Sequence, residues 1–108
     1  MKLRALVMLL FSANAMASDV TTSKIKELLT YNSNDFVFVS LEKIPGNKPT
    51  CATNPYDYIF HLKSDQGKAI YSKLLAAYVS GKSLTFKGTD ECDPLQANAE
   101  VLHYVSAK

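Results

Sequence analysis

The sequence is short of net charge, of cysteine and of long hydrophobic runs. Its 12 Lys and Arg stand against 10 Asp and Glu. Two of the basic residues, Lys2 and Arg4, lie at the extreme N-terminus, and beyond them the two signs balance. A neutral body without a basic cluster has no electrostatic footprint for nucleic acid. It also lacks the polybasic segment of a peripheral membrane binder. The apolar run at residues 5–11 (ALVMLLF) falls well short of the roughly 20 residues that span a bilayer as a helix. The two cysteines, Cys51 and Cys92, are too few and too far apart for the CxxC-like ligand sets of structural zinc. Neither an internal repeat nor a low-complexity tract is present.

What is there begins with a leader. The basic Lys2 and Arg4, the apolar run and the small-x-small triplet Ala15-Met16-Ala17 read as a Sec-type signal peptide over residues 1–17, cleaved before Ser18. No cysteine for lipid attachment lies near the cut. The expectation is a bacterial domain of residues 18–108, periplasmic or secreted, with no membrane insertion once the leader is gone. A domain of that size buries only a little over ~60% of its unfolded surface and is marginal on its core alone. Two cysteines in an oxidising compartment therefore predict a Cys51–Cys92 disulfide. Closing about 40 residues of chain is worth roughly 4 kcal/mol in the loop-entropy picture.

Along the body, residues 24–31 (KIKELLTY) fit a helix capped by Ser23 or an alternating strand equally well. Residues 36–41 (FVFVSL) read as a strand apolar on both faces, and 44–49 (IPGNKP) as a loop. Residues 57–63 (DYIFHLK) alternate, with Tyr58, Phe60 and Leu62 on one face and Ile59, His61 and Lys63 on the other. Ser64 or Asp65 caps a helix. Its Ile70, Leu74 and Ala77 form one stripe, with Tyr71, Leu75 and Tyr78 beside it. Gly81 stops the helix. Residues 83–87 (SLTFK) alternate, 88–94 read as an acidic loop, and 99–105 (AEVLHYV) alternate again. The expected architecture is mainly β with one helix and one disulfide. If the first segment is a strand, the order β-β-β-α-β-β is that of a five-stranded OB-like barrel.

Four phrases give the body a family likeness: PTCAT before the third strand, GKAIYSKLLAAYVSGKSLTF from helix into strand, GTDEC after it, and AEVLHYV at the end. Together they cover roughly half of the body. In them the chain resembles small exported bacterial proteins related to the B subunits of subtilase-cytotoxin and pertussis-like toxins. The resemblance implies an OB-like barrel and favours the strand reading of residues 24–31. In the toxins such domains form five-membered rings that bind sialylated glycans and carry an enzymatic subunit. Most relatives of this pattern are stand-alone exported proteins. No glycan-binding motif of the toxins maps onto this chain, so no sugar-binding residue is carried over.

The residues that could bear chemistry are few. Asp90, Glu91 and Asp93 crowd one cysteine, but calcium takes six to eight oxygen ligands, and a solvated acidic turn is the simpler reading. His61 and His103, with Glu100 nearby in sequence, could meet as a zinc or acid/base pair; half-exposed strand histidines are the simpler reading. No serine lies in a nucleophile-elbow context. No cofactor, no metal and no catalysis are expected. Six tyrosines point instead to binding, because each joins an apolar face to a polar tip. Tyr56, in a loop beside Cys51, is the candidate ligand contact. Tyr71 and Tyr78 are the candidates for an interface in a homo-oligomer. The expected function is an exported, non-catalytic binding module, resembling a toxin B subunit, for a glycan or protein partner. The alternative is a stand-alone monomeric periplasmic protein, an inhibitor or envelope-stress factor, that binds no glycan.

Overall fold

The local signals at the helix are the strongest in the chain, and they set its ends. The computed structural model describes residues 18–107, so the leader assigned to residues 1–17 lies outside the described residues. Helix α1 spans Asp65–Ser80. Ser64 caps it by accepting a hydrogen bond from Gly67 N at 2.9 Å, and Gly81 ends it in the left-handed region at φ 69°, as a residue without Cβ does readily. Leu74 and Ala77 are buried and Ile70 packs against them. Tyr71, on the adjoining stripe, also packs on the core, whereas Leu75, Tyr78 and Val79 are exposed.

Six strands form one sheet around this helix, where five were expected. They are β1 (Thr21–Ser23), β2 (Ile25–Thr30), β3 (Phe36–Leu41), β4 (Tyr58–His61), β5 (Leu84–Cys92) and β6 (Glu100–Ser106). Their order across the sheet is β1-β5-β6-β4-β3-β2. Neighbours are antiparallel except β4 and β6, which run parallel with Ile59 opposite Val101. The two edge strands, β1 and β2, are separated in the chain only by Lys24. One bent segment thus borders β5 on one side and β3 on the other, and the sheet is curled into a half-barrel. At the bend, Lys24 O accepts from Glu42 N at 3.0 Å and Ser23 Oγ from Lys43 N at 2.9 Å. The ambiguous first segment is therefore strand, extended backwards by three residues.

Alternation decides which side chains fill the curl. Val37, Val39 and Leu41 from β3, Tyr58 and Phe60 from β4, Leu84 and Phe86 from β5, and Leu102 and Val105 from β6 form the core with Leu74 and Ala77. Tyr58 and Phe86 stack nearly parallel at 6.2 Å. Phe38, Ile59 and Ala99 make a second, smaller cluster on the other face. Cys51 and Cys92 are bonded, with Cα atoms 6.3 Å apart and a sequence separation of 41. The bond ties the β3–β4 loop to the end of β5.

The fourth expected strand, residues 83–87, continues through the supposed acidic loop to Cys92. Pairing with β6 overrides the local turn signals of Gly88 and Asp90. The conflict survives as irregular register at Gly88 and a positive φ of 69° at Asp90. A bulge also falls on β6: Lys87 faces Tyr104 and Gly88 faces Leu102, so His103 is the extra residue. Such a bulge re-aims side chains. Here it leaves His103 and Tyr104 exposed in succession.

Candidate functional site

Three places gather polar or aromatic side chains. The first is the outer face of β1, β5 and β6. The register sets Thr22 opposite Thr85 and Thr85 opposite Ser106, so directly paired residues form a row of hydroxyls on one face. Thr22 Oγ1 and Thr85 Oγ1 are 2.8 Å apart. Each hydroxyl has one donor and two acceptor positions, so this mutual bond leaves capacity for a ligand. Tyr104, two residues before Ser106 and so on the same face of β6, stands beside the row with 42% of its surface exposed. His103 lies against it at 5.5 Å. Thr22, Thr85, Tyr104 and Ser106, with Ser83 and Leu84, line an open cleft of about 550 Å³. None of the lining residues is charged.

The second place is an aromatic face over the smaller cluster. Tyr31 and Phe36 meet Phe38 edge-on at 6.0 and 6.4 Å, and Tyr56 leans on Phe38 at 5.4 Å. Tyr56, the candidate from the sequence, is half-buried there. Its hydroxyl donates to Glu27 Oε2 at 2.8 Å. That bond to a carboxylate holds the phenol's proton and raises its ionisation above the usual tyrosine range, with partial burial adding to the shift. The polar tip of Tyr56 is thus already engaged within the fold.

The third place is the corner where β4 ends. His61 Nε2 lies 2.7 Å from Asp93 Oδ1, and Nδ1 lies 3.4 Å from Asp35 Oδ1. Phe36 packs edge-on against the ring at 4.7 Å. Both ring nitrogens face carboxylates, so neither is presented to a substrate. Asp93 is buried, and its Oδ2 also accepts from Leu95 N at 2.8 Å and Gln96 N at 3.0 Å. Burial alone would push this carboxyl upward. The hydrogen bonds with His61 and the two amides outweigh it and hold the group below the usual carboxylate range. The expected solvated acidic turn is therefore corrected: Asp93 is an internal anchor for the β5–β6 turn and for His61, while Glu91 alone of the three is exposed. His61 and His103 make separate contacts, the first with Asp35 and Asp93, the second with Tyr104. Glu100, weighed as a partner for the histidines, is fully buried and accepts from Asp90 N at 2.9 Å and from the Ser18 hydroxyl.

Of the expected interface pair, Tyr78 lies on the exposed side of α1 and Tyr71 does not. The hydroxyl row escaped sequence reading because its members come from three segments, and only the strand register unites them. No family model, curated protein or solved structure matches the chain.

Proposed function

We propose that this chain is an exported, non-catalytic binding module whose recognition surface is the cleft on β1, β5 and β6, and whose ligand is a glycan. The observation that carries the reading is the row Thr22–Thr85–Ser106 flanked by the half-exposed Tyr104 ring. A sugar offers hydroxyls that exchange hydrogen bonds with such a row, and C–H faces that lie on an aromatic ring. The uncharged lining suits a neutral polyol better than an ionic ligand.

The sheet order supports an OB-like reading of the barrel. With β1 and β2 counted as one strand bent at Lys24, the five strands, the helix between the third and fourth, and the single parallel pair agree with that topology. This reading keeps the likeness to toxin B subunits, in which recognition is carried on such a barrel. Export accounts for a disulfide in a domain otherwise stabilised by a small core.

The test is a glycan screen of oxidised protein, with Thr85→Val and Tyr104→Ala beside the wild type. Valine keeps the β-branched shape and removes one hydroxyl, at an expected cost of about tenfold in affinity. The reading fails if no glycan binds, or if binding survives both substitutions. Light scattering on the same sample decides between a ring, in which Tyr78 lies at the subunit contact, and a stand-alone monomer.

A further inference from the structure

Glu100 is the one fully buried carboxylate among the described residues, at 0% exposure. Its Oε2 accepts from Asp90 N and from the Ser18 hydroxyl, and its Oε1 has no hydrogen-bond partner. Lys87, next to the Gly88 that abuts this carboxylate, donates its Nζ to Gly88 O at 3.0 Å instead. Ser18 Oγ also reaches Asp90 Oδ1 at 3.3 Å, a second carboxylate. Asp57 and Asp19, with Glu100 itself, raise the ionisation of the buried Tyr58 beyond what burial does. The ion pairs among the described residues involve Lys48, His61 and their aspartates, and none includes Glu100. An unpaired buried carboxylate is costly. Yet the fold makes room for this one: a Cβ on Gly88 would collide with its carboxylate.

Ser18 is itself buried, at 5% exposure, although it is the residue expected to begin the mature chain. Its α-nitrogen is separated from the hydroxyl that touches Glu100 only by Cα and Cβ. In the uncleaved chain that nitrogen is a neutral amide. Hydrolysis of the Ala17–Ser18 peptide bond by a signal peptidase, with water as co-reactant, leaves a carboxylate on Ala17 and an ammonium on Ser18.

We propose that this new α-ammonium docks on the free oxygen of Glu100, so that leader removal supplies the missing cation of a buried site and completes the fold. The inference rests on the export reading for the existence of the cleavage. The cleaved protein gains a buried, charge-assisted bond that links the N-terminus to β6, and the precursor lacks it. The precursor is accordingly the less stable form, with an unfolding constant about 10- to 100-fold larger.

The experiment begins with the full chain exported from a bacterium and the intact mass of the released product. Any start other than Ser18, or a retained leader, overturns both the export reading and this inference. With Ser18 first, the native product is treated at pH 7 with limiting acetic anhydride and the modified amines are located by mass spectrometry. An ordinary α-amine, with a pKa of roughly 7.7–8.0, is less protonated than lysine and reacts first. The Ser18 amine is expected to lag the lysines about tenfold or more in the native protein and to lead them after denaturation. If it leads in both states, the inference fails while the export reading stands. Glu100→Gln separates pairing from simple burial: the lag should shrink sharply, and an unchanged lag overturns the salt bridge. Should that variant fail to fold, the pH dependence of wild-type stability decides. A paired amine has a raised folded pKa, so its contribution is full below about pH 8 and is lost as pH rises through the raised value. A urea midpoint with no such loss before lysine titration refutes the pairing.

Discussion

Replacing Gly67 with alanine should destabilise this protein, although the same change in a helix ordinarily stabilises by about 1 kcal/mol. Gly67 is buried in the first turn of α1. A Cβ there would collide with the carbonyl oxygen of His61 and lie 3.1 Å from its carbonyl carbon and 3.3 Å from the capping Ser64 Oγ. The obstacle is backbone and cannot swing aside. The next residue, Leu62, is pinned at the start of β3 through its N–H to O of the preceding Asp35 at 2.9 Å. Relief therefore requires α1 to move away from β4, straining the core under Leu74 and the Ser64 cap. Overpacking of this kind costs about 1–3 kcal/mol, and a weakened cap adds roughly 1 kcal/mol. Set against the propensity gain, the net loss is about 2 kcal/mol, or a fall in Tm of roughly 8–16 °C for a domain this small. Urea denaturation of the oxidised protein measures it, and an unchanged m-value shows that the native state alone was perturbed. Ala76→Gly, at an exposed site in the same helix, should lose about 1 kcal/mol. A Gly67→Ala protein as stable as the wild type would refute the close-approach argument.

Removing the cross-link with Cys51→Ala and Cys92→Ala should cost about 4 kcal/mol through the 41-residue separation, read as a lower urea midpoint; a loss under about 1 kcal/mol would show that the loop is already ordered without it. Asp93 contributes stability that is present above the ordinary carboxyl value near pH 4 and is lost as pH falls through its depressed folded value. Asp93→Asn should flatten the acid limb of the stability curve while lowering stability at neutral pH, and a parallel acid limb would argue against the hydrogen-bonded anchor. Leu74→Ala, at a fully buried site, should cost about 2–5 kcal/mol by thermal or urea unfolding.

What could be read from the sequence was what neighbouring residues decide among themselves. The Ser64 cap and Gly81 stop are local chemistry, and the structure bears both out along with the alternating faces of residues 58–61. The paired cysteines were also legible, because their number left one arrangement. The misreadings share a cause. Gly88 and Asp90 look like turn formers, yet β6 recruits them into β5. Asp93 looks like a surface acid, yet His61 and two amides enclose it. Glu100 alternates like any strand residue, and nothing local reveals that its side chain is wholly internal.

The bend at Lys24 also has a temporal side. Chain synthesis delivers β1 early, but its partner arrives late: Thr22 and Thr85 are 63 residues apart. Until β5 is made, this strand has an unpaired edge, and such edges recruit other chains. Pairings of long sequence separation also form slowly, because the entropy of loop closure precedes any reward. The sheet therefore cannot be completed while the chain is still emerging. A chaperone that shields the first twenty or so residues of the body would be acting on the segment with the longest wait.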